Sequence, residues 1–405
     1  MRTFDKSDRL EHVLYDVRGP VVDEAARMEE RGMKILKLNI GNPAPFGFTA
    51  PDEVIQDMRD NIAASQGYSD SRGIFAARKA IMQYAQIKKI PNVTMKDVFT
   101  GNGASELIQL SLHALLNAGD EVLIPSPDYP LWTACTNLAG GKAVHYICDE
   151  SSDWYPDLAD IESKITPKTK AIVIINPNNP TGAVYDAQVL KQMLDVAREH
   201  DLMVFSDEIY DRLVMDGLKH TATASRAPDL VVVTMNGLSK SHSLCGYRCG
   251  WMVISGPREK TEAYRQGIVQ LTSLRLCSNA LAQLVIPAAL EDMETPASMV
   301  RPGGRYYEQR AATVDVLKDI DGLSFVKNRA SFYLFPKLDV KKFNITNDKQ
   351  FARDLLTEAK ILIVPGSGFD WPEPDHFRIV MLPQADELRA AMERMGNFLD
   401  GYKQK

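Results

Sequence analysis

Nothing in this sequence favours a membrane span, a disulfide framework or a nucleic-acid surface. Its longest apolar runs, such as residues 171–175, fall far short of the roughly 20 residues a spanning helix needs. The opening Met1-Arg2-Thr3-Phe4-Asp5-Lys6 is mixed in charge with no apolar stretch behind it, so no secretory signal is visible. Five cysteines (Cys135, Cys148, Cys245, Cys249 and Cys277) make an odd count without a CxxC pair. That usage suits a reducing cytoplasm and predicts cysteines acting as small buried hydrophobes. A net charge of -6 leaves no basic excess for a polyanion or an anionic membrane. There is also no internal repeat, low-complexity tract or flexible linker, so any domains should share a tight interface.

What is present is an ordinary globular composition over 405 residues, 45% hydrophobic and 25% charged. That length is enough for two domains with large cores. From about residue 95, short apolar runs alternate with amphipathic stretches of helical length. The strand-like runs cover residues 97–100, 121–124, 143–148, 171–175, 202–205, 230–234 and 250–254. Several are continuously apolar, as expected of strands covered on both faces. Helical patterns at 104–116 and 187–200 lie between them. This alternation predicts an α/β fold with a mostly parallel, seven-stranded sheet and right-handed crossovers. Residues 15–31 and 258–290 read as further helices, and residues 300–405 as a smaller α+β unit. Ligands in such sheets bind beyond the carboxyl ends of the strands, so the residues there carry the functional reading.

Four strand ends stand out. Gly101-Asn102-Gly103-Ala104-Ser105 opens a helix. Either its backbone amides face an anion, or it is a plain connection capped by Asn102 or Ser105. Asn176-Pro177-Asn178-Asn179-Pro180-Thr181-Gly182 is a stiff polar loop, able to hold an asparagine amide toward a ligand oxygen. Asp207-Glu208-Ile209-Tyr210 ends an apolar strand, but no G-x-x-x-x-G-K-[ST] stretch accompanies it, which excludes an ATPase metal segment. A carboxylate there needs a cation, from a core arginine or from a ligand. Finally, Ser239-Lys240 follows the 230–234 run, with Arg248 eight residues on. A lysine in an α/β interior would lose proton affinity and could form a Schiff base with an aldehyde.

Together these residues resemble the fold-type I, pyridoxal-phosphate-dependent aminotransferases of the aspartate aminotransferase class. The stretches Tyr15-Asp16-Val17-Arg18-Gly19-Pro20, Leu38-Asn39-Ile40-Gly41-Asn42-Pro43 and Arg275-Leu276-Cys277 look most similar to bacterial alanine (glutamate–pyruvate) aminotransferases. The resemblance implies a large cofactor domain over residues 50–293, with residues 1–49 and 294–405 forming a small domain. It implies pyridoxal 5'-phosphate held by Lys240 as a Schiff base. Asp207 would face the ring nitrogen, and Tyr210 and Asn179 the ring's phenolic oxygen. Gly103, Ala104, Ser105, Ser239 and Arg248 would hold the phosphate, with Tyr129 stacked on the ring. Tyr68 would reach the phosphate from the partner subunit of a homodimer. Arg378 and Gly41 would take the substrate α-carboxylate, and Tyr15 and Arg18 would lie beside the substrate side chain.

The implied activity is ping-pong transfer of the amino group between L-alanine and 2-oxoglutarate, with amino and oxo acids as the small-molecule partners. Aspartate, branched-chain or aromatic substrates are the alternative within this fold, with a β-elimination lyase behind them. A cofactor-sensing regulator would need a basic DNA-binding module before Gly41. Two departures from the family pattern are visible: Gly237 where a hydroxyl is common, and Ser241-His242-Ser243 after the lysine.

Overall fold

A computed structural model describes residues 3–11, 13 and 19–405. Its centre is an eight-stranded sheet. The strand order is Val98–Asn102, Cys249–Ser255, Val232–Gly237, Met203–Asp207, Thr169–Ile175, Glu121–Ser126, Lys142–Asp149 and Tyr155–Pro156. The five strands from Val232–Gly237 to Lys142–Asp149 are mutually parallel. Cys249–Ser255 runs antiparallel to both its neighbours. Val98–Asn102 therefore points the same way as the five, and six strands end on one edge. The seven expected strands are all there, shifted by one to three residues at their ends. The eighth, Tyr155–Pro156, pairs antiparallel with Cys148 and Asp149. Two residues are too short to leave a periodic signal.

Both faces of the sheet are covered, which explains the unbroken apolar runs. Val173, Phe205, Val233 and Met252 pack on one side with Leu107, Leu112 and Ile268. Ile172, Ile174, Val204 and Val232 pack on the other with Leu190, Met193 and Leu194. The helix Ala187–Glu199 places those three leucine and methionine side chains inward at i, i+3 and i+4 spacing. Its first turn is closed by Asp186, whose side chain accepts from the amides of Gln188 and Val189.

The expected long helix over residues 258–290 is instead three: Arg258–Leu274, Ala280–Leu284 and Ile286–Glu291. Leu276 adopts a φ of 73°, which no helix continues through. Asn279 then restarts the chain by accepting from the Ala282 amide. The early helix runs Pro20–Glu30, with proline in its first turn and Gly32 at φ 84° just beyond it. Three of the five cysteines are buried as expected, whereas Cys245 and Cys277 are partly exposed.

The early helix does not join the sheet's core. Val21, Ala25 and Met28 pack with Phe351, Leu355, Phe377, Leu388 and Met392 from the C-terminal part. Leu36 and Lys37 extend the same unit by pairing in parallel with Ile361 and Leu362. A three-stranded sheet, with Phe377–Val380 in the middle, carries Arg378 toward the central sheet. The C-terminal part is keyed to the first half through aromatic packing, with Trp154 edge-on to Phe335, Trp371 and His376. No helix among the described residues is long and apolar enough to cross a membrane.

One buried ion pair anchors the first strand. Asp97 closes a capping box with Thr94 and meets Arg265 at 2.6 Å and Arg258 at 2.9 Å. Removing one partner strands a buried guanidinium. Asp97→Ala should therefore destabilise the fold by about 3–5 kcal/mol, read from the urea midpoint, while Arg258→Ala, at the exposed partner, should cost under about 1 kcal/mol.

Candidate active site

Five strand ends and one strand beginning meet around a cavity of about 170 Å³. Register explains why Arg248 is among them. Cys249–Ser255 runs against its neighbours, with Cys249 opposite Asn102 and Gly250 opposite both Gly101 and Gly237. The residue preceding that strand must then emerge where the others end. Arg248 sits there at φ 60° and donates to the carbonyls of Cys245 (2.8 Å) and Asn102 (3.2 Å).

Beside it, Gly103 caps the helix Ala104–Leu115 without a side-chain bond to the helix amides. Asn102 is not the cap, because its side chain bonds Glu106 and the amide of Asn279. The helix amides therefore face the cavity at Ala104 and Ser105. Glycine is required twice here. A Cβ on Gly103 would lie 2.1 Å from an Arg248 nitrogen, and one on Gly250 would lie 2.4 Å from the Ala104 amide nitrogen. A helix N-terminus, an arginine and the nearby Ser239 make an anion cradle. The departure at Gly237 has a steric cause, since a Cβ would lie 2.5 Å from the Cys249 carbonyl oxygen.

Lys240 lies on the four-residue helix Leu238–Ser241 and is half-buried rather than sealed in the interior. Its Nζ donates to the Gly41 carbonyl at 2.7 Å, stands 3.9 Å from the Cys245 thiol and 5.8 Å above the Phe332 ring. Asp207 ends its strand 4% exposed. Its carboxylate accepts from the Trp132 indole and the Ile209 amide, each at 3.2 Å. Among the described residues no arginine pairs with it, so the core-arginine alternative falls. Burial raises the Asp207 carboxyl above its ordinary range, opposed by those two donors and by the charge of Lys240.

On the opposite wall, Asn179 accepts from Arg378 at 2.9 Å. The Arg378 guanidinium also donates to the Asn39 carbonyl and stacks on Tyr333 (4.5 Å) and Phe369 (4.6 Å). Arg378 is thus held from four sides with its planar face fixed. Tyr210 donates to the Tyr333 hydroxyl at 2.9 Å, and burial pushes the Tyr210 phenol well up. Tyr129 lines the same cavity. At Gly41 a Cβ would lie 2.1 Å from the Tyr333 hydroxyl, so glycine is needed for the close approach.

The structure therefore brings Lys240, Asp207, Tyr210, Asn179, Tyr129, Ala104, Ser105, Ser239, Arg248, Gly41 and Arg378 to one cavity, with Gly103 against Arg248. Tyr68 stands apart on the surface, 83% exposed. Tyr15 and Arg18 lie outside the described residues. Sequence reading missed Trp132, Tyr333 and Cys245. Tyr333 sits on the two-residue strand Tyr333–Leu334, too short to leave a periodic signal. Nothing in the spacing marks Trp132 or Cys245.

Comparison with known proteins identifies the family. A family model described as aminotransferase class I and II matches residues 33–395. The chain is 52% identical over 404 residues to the glutamate-pyruvate aminotransferase AlaA of Escherichia coli, with both chains fully covered. It is also 52% identical to an alanine aminotransferase of Mycobacterium bovis, covering all of this chain and 94% of that one. A solved Escherichia coli aminotransferase superposes with a TM-score of 0.98 at 52% identity over the full length of both.

The cradle yields a paired test. Gly250→Ala should lower retention of pyridoxal 5'-phosphate during dialysis, measured by absorbance, because the added methyl meets backbone. Gly246→Ala, where nothing lies within 4 Å, should retain the cofactor like the parent.

Proposed function

Because the chain belongs to the class I and II aminotransferases, we propose that it moves the α-amino group between L-alanine and 2-oxoglutarate, giving pyruvate and L-glutamate. The observation that carries this reading is a buried carboxylate, an amine and an arginine clamp facing one cavity. The names of the full-length relatives support the substrate pair.

The residues fit pyridoxal 5'-phosphate. Gly103 lets the Arg248 guanidinium lie against the start of the helix, placing a cation beside helix amides as a dianionic phosphate requires. Asp207 is a buried carboxylate without a protein cation within ion-pair distance among the described residues, as a protonated ring nitrogen would answer. Lys240 supplies the only lysine amine at the cavity among the described residues. When bound, the cofactor is an electron sink for the charge left at Cα after proton removal.

The rest of the chemistry belongs to this chain. Asp207 keeps a proton on its partner nitrogen, since separating that pair would leave a bare carboxylate in the interior. The Lys240 amine takes the proton from Cα of the amino acid and returns it to the carbon on the far side of the amino nitrogen, as general base and then acid. The Gly41 carbonyl, which accepts from that amine at 2.7 Å, would orient it while it is free to move the proton. Arg378 receives the α-carboxylate and so sets the Cα–H bond toward Lys240. Tyr210 and Asn179 supply hydrogen-bonding groups to the ring's phenolic oxygen. The two half-reactions use the same groups in reverse order.

The division at residues 50 and 293 is supported by the separate core that the early helix shares with the C-terminal part. A homodimer is supported by apolar groups left outside, with Leu274 81%, Phe75 67% and Leu276 51% exposed. Tyr68 lies in the same region, whose segments are tied by Ser71–Ser273 and Ser71–Arg275 bonds. A second copy would cover these groups and take Tyr68 to its phosphate. A cytoplasmic location follows from the unpaired cysteines. For the distal carboxylate of glutamate we assign Arg18, because the cavity's three described cations already have tasks.

Turnover of L-alanine with 2-oxoglutarate should exceed that with aspartate, branched-chain or aromatic donors in a side-by-side assay. Ammonia and pyruvate released from a β-substituted amino acid would instead indicate a lyase. Borohydride reduction and peptide mapping should place the pyridoxyl mass on Lys240. Lys240→Ala should cost more than the roughly 10²–10⁴-fold of a lone general base. Arg18→Ala should lower kcat/KM for glutamate about 10–100-fold, as for a lost charge-assisted hydrogen bond, and leave alanine within about threefold. Equal losses for both substrates would refute the assignment.

A further inference from the structure

Two walls of the cavity are tied together by a cluster outside it. The segment after strand Glu121–Ser126 carries Tyr129 into the cavity. The turn Gly366–Phe369 carries the ring on which Arg378 stacks. Backbone bonds join the two: the Asp128 amide donates to the Phe369 carbonyl at 2.9 Å, and the Ser126 hydroxyl to the Asp370 carbonyl at 2.7 Å.

Side chains complete the joint. His145, on strand Lys142–Asp149, places its Nε2 3.8 Å from an oxygen of Asp128 and 3.8 Å from an oxygen of Asp370. The Thr133 hydroxyl donates to Asp128 at 2.6 Å and contacts His145 Nε2 at 2.9 Å. Asp128 is fully buried, and its Oδ1 has no hydrogen-bond partner. An under-bonded buried carboxylate is costly unless a cation stands close. Among the described residues the imidazole is the cation within reach.

We infer that Asp128, His145 and Asp370 form an ionic latch that positions Tyr129 and the Phe369–Arg378 wall for carboxylate binding. None of the three touches the cavity, so they are positioning residues. The inference rests on the proposed aminotransferase reading for the task of Arg378.

The charge balance gives the latch a direction with pH. Burial pushes the Asp128 carboxyl up to about 7, with the charge of Asp370 adding to it and the bonds to His145 and Thr133 opposing. Burial works against the charge on His145, but the bond and charge of Asp128 and the charge of Asp370 outweigh it and raise the imidazole, with Lys164 opposing. Both shifts disfavour a bare Asp128 carboxylate against a neutral imidazole, while the raised imidazole keeps its charge toward Asp370. A raised histidine holds the latch fully below its unfolded value near 6.5 and loses it as pH rises through the folded value. A raised aspartic acid acts in the same sense, because the buried carboxylate it becomes is disfavoured. The latch therefore loosens toward high pH, when two carboxylates face a neutral ring.

His145→Gln keeps a polar contact to Thr133 and deletes the charge. At pH 6.5 it should raise KM for alanine about tenfold with kcat within about twofold, the pattern of lost positioning for binding. The ratio of variant to parent KM should fall toward one as pH rises through the raised folded value of His145, a division that cancels titrating groups outside the latch. Asp370→Asn, at a half-exposed site, should shift KM in the same direction and serves if the first variant folds poorly. A ratio constant with pH, or kcat and KM lost together in both variants, would overturn the latch. Failure of the alanine assay in the parent would instead count against the aminotransferase reading.

Discussion

The burial of one carboxylate with no ion-pair partner among the described residues is the constraint around which the rest of the site is arranged. Asp207 ends a central strand with 4% exposure, where an uncompensated charge is among the most expensive features a fold can carry. Two hydrogen-bond donors, from Trp132 and Ile209, reduce that cost without cancelling it. The remaining compensation has to come from something that enters the cavity. A site built this way selects ligands carrying a positive group at that depth, before any other contact forms.

The other groups reach the same point because strand direction delivers them there. Six strands end on one edge, the residues after five of them converge on the cavity, and the single reversed strand contributes its preceding residue instead. Such convergence needs backbones to approach closely. Gly41, Gly103, Gly237 and Gly250 each stand where a Cβ would lie within 2.5 Å of a neighbour. The close approach at Gly103 and Gly250 brings Arg248 against the helix amides. That at Gly41 lets its carbonyl meet Lys240. These glycines are therefore parts of the site's geometry even though none carries chemistry.

Most of this was legible in the sequence because its cause is local. Continuous apolar runs mark strands covered on both faces, and polar or charged residues just after them mark the ligand edge. The eighth strand was not legible, because two residues have no period. The break at residues 275–279 was misread because Leu276 is apolar and its φ of 73° leaves no compositional trace. Trp132 and Tyr333 were missed for another reason. Each acts by supporting a residue far away in sequence, Asp207 and Arg378 respectively, and such pairing exists only after folding. The Asp128, His145 and Asp370 cluster is the extreme case, with its members up to 242 residues apart (370 minus 128).

Substrate choice separates from all of this on physical grounds. The groups so far placed read what every amino acid has: an amine, a Cα proton and an α-carboxylate. The walls left for the side chain include Ile40, Ile175 and Ile209. Apolar walls discriminate by size only weakly, roughly 10–200-fold per methylene. They suit the methyl of alanine and pyruvate but give a second carboxylate nothing to pair with. Glutamate and 2-oxoglutarate both carry that second charge, and leaving it unpaired against isoleucine would cost more than a size mismatch. Among the described residues lining the cavity, the cations are Lys240, Arg248 and Arg378, each held by its own partners. One active site that serves both substrates must therefore bring a further cation to the larger one and withdraw it, or let solvent replace it, for the smaller. That requirement, rather than any missing piece of the catalytic set, is the reason for proposing Arg18 as the cation that reads the distal carboxylate.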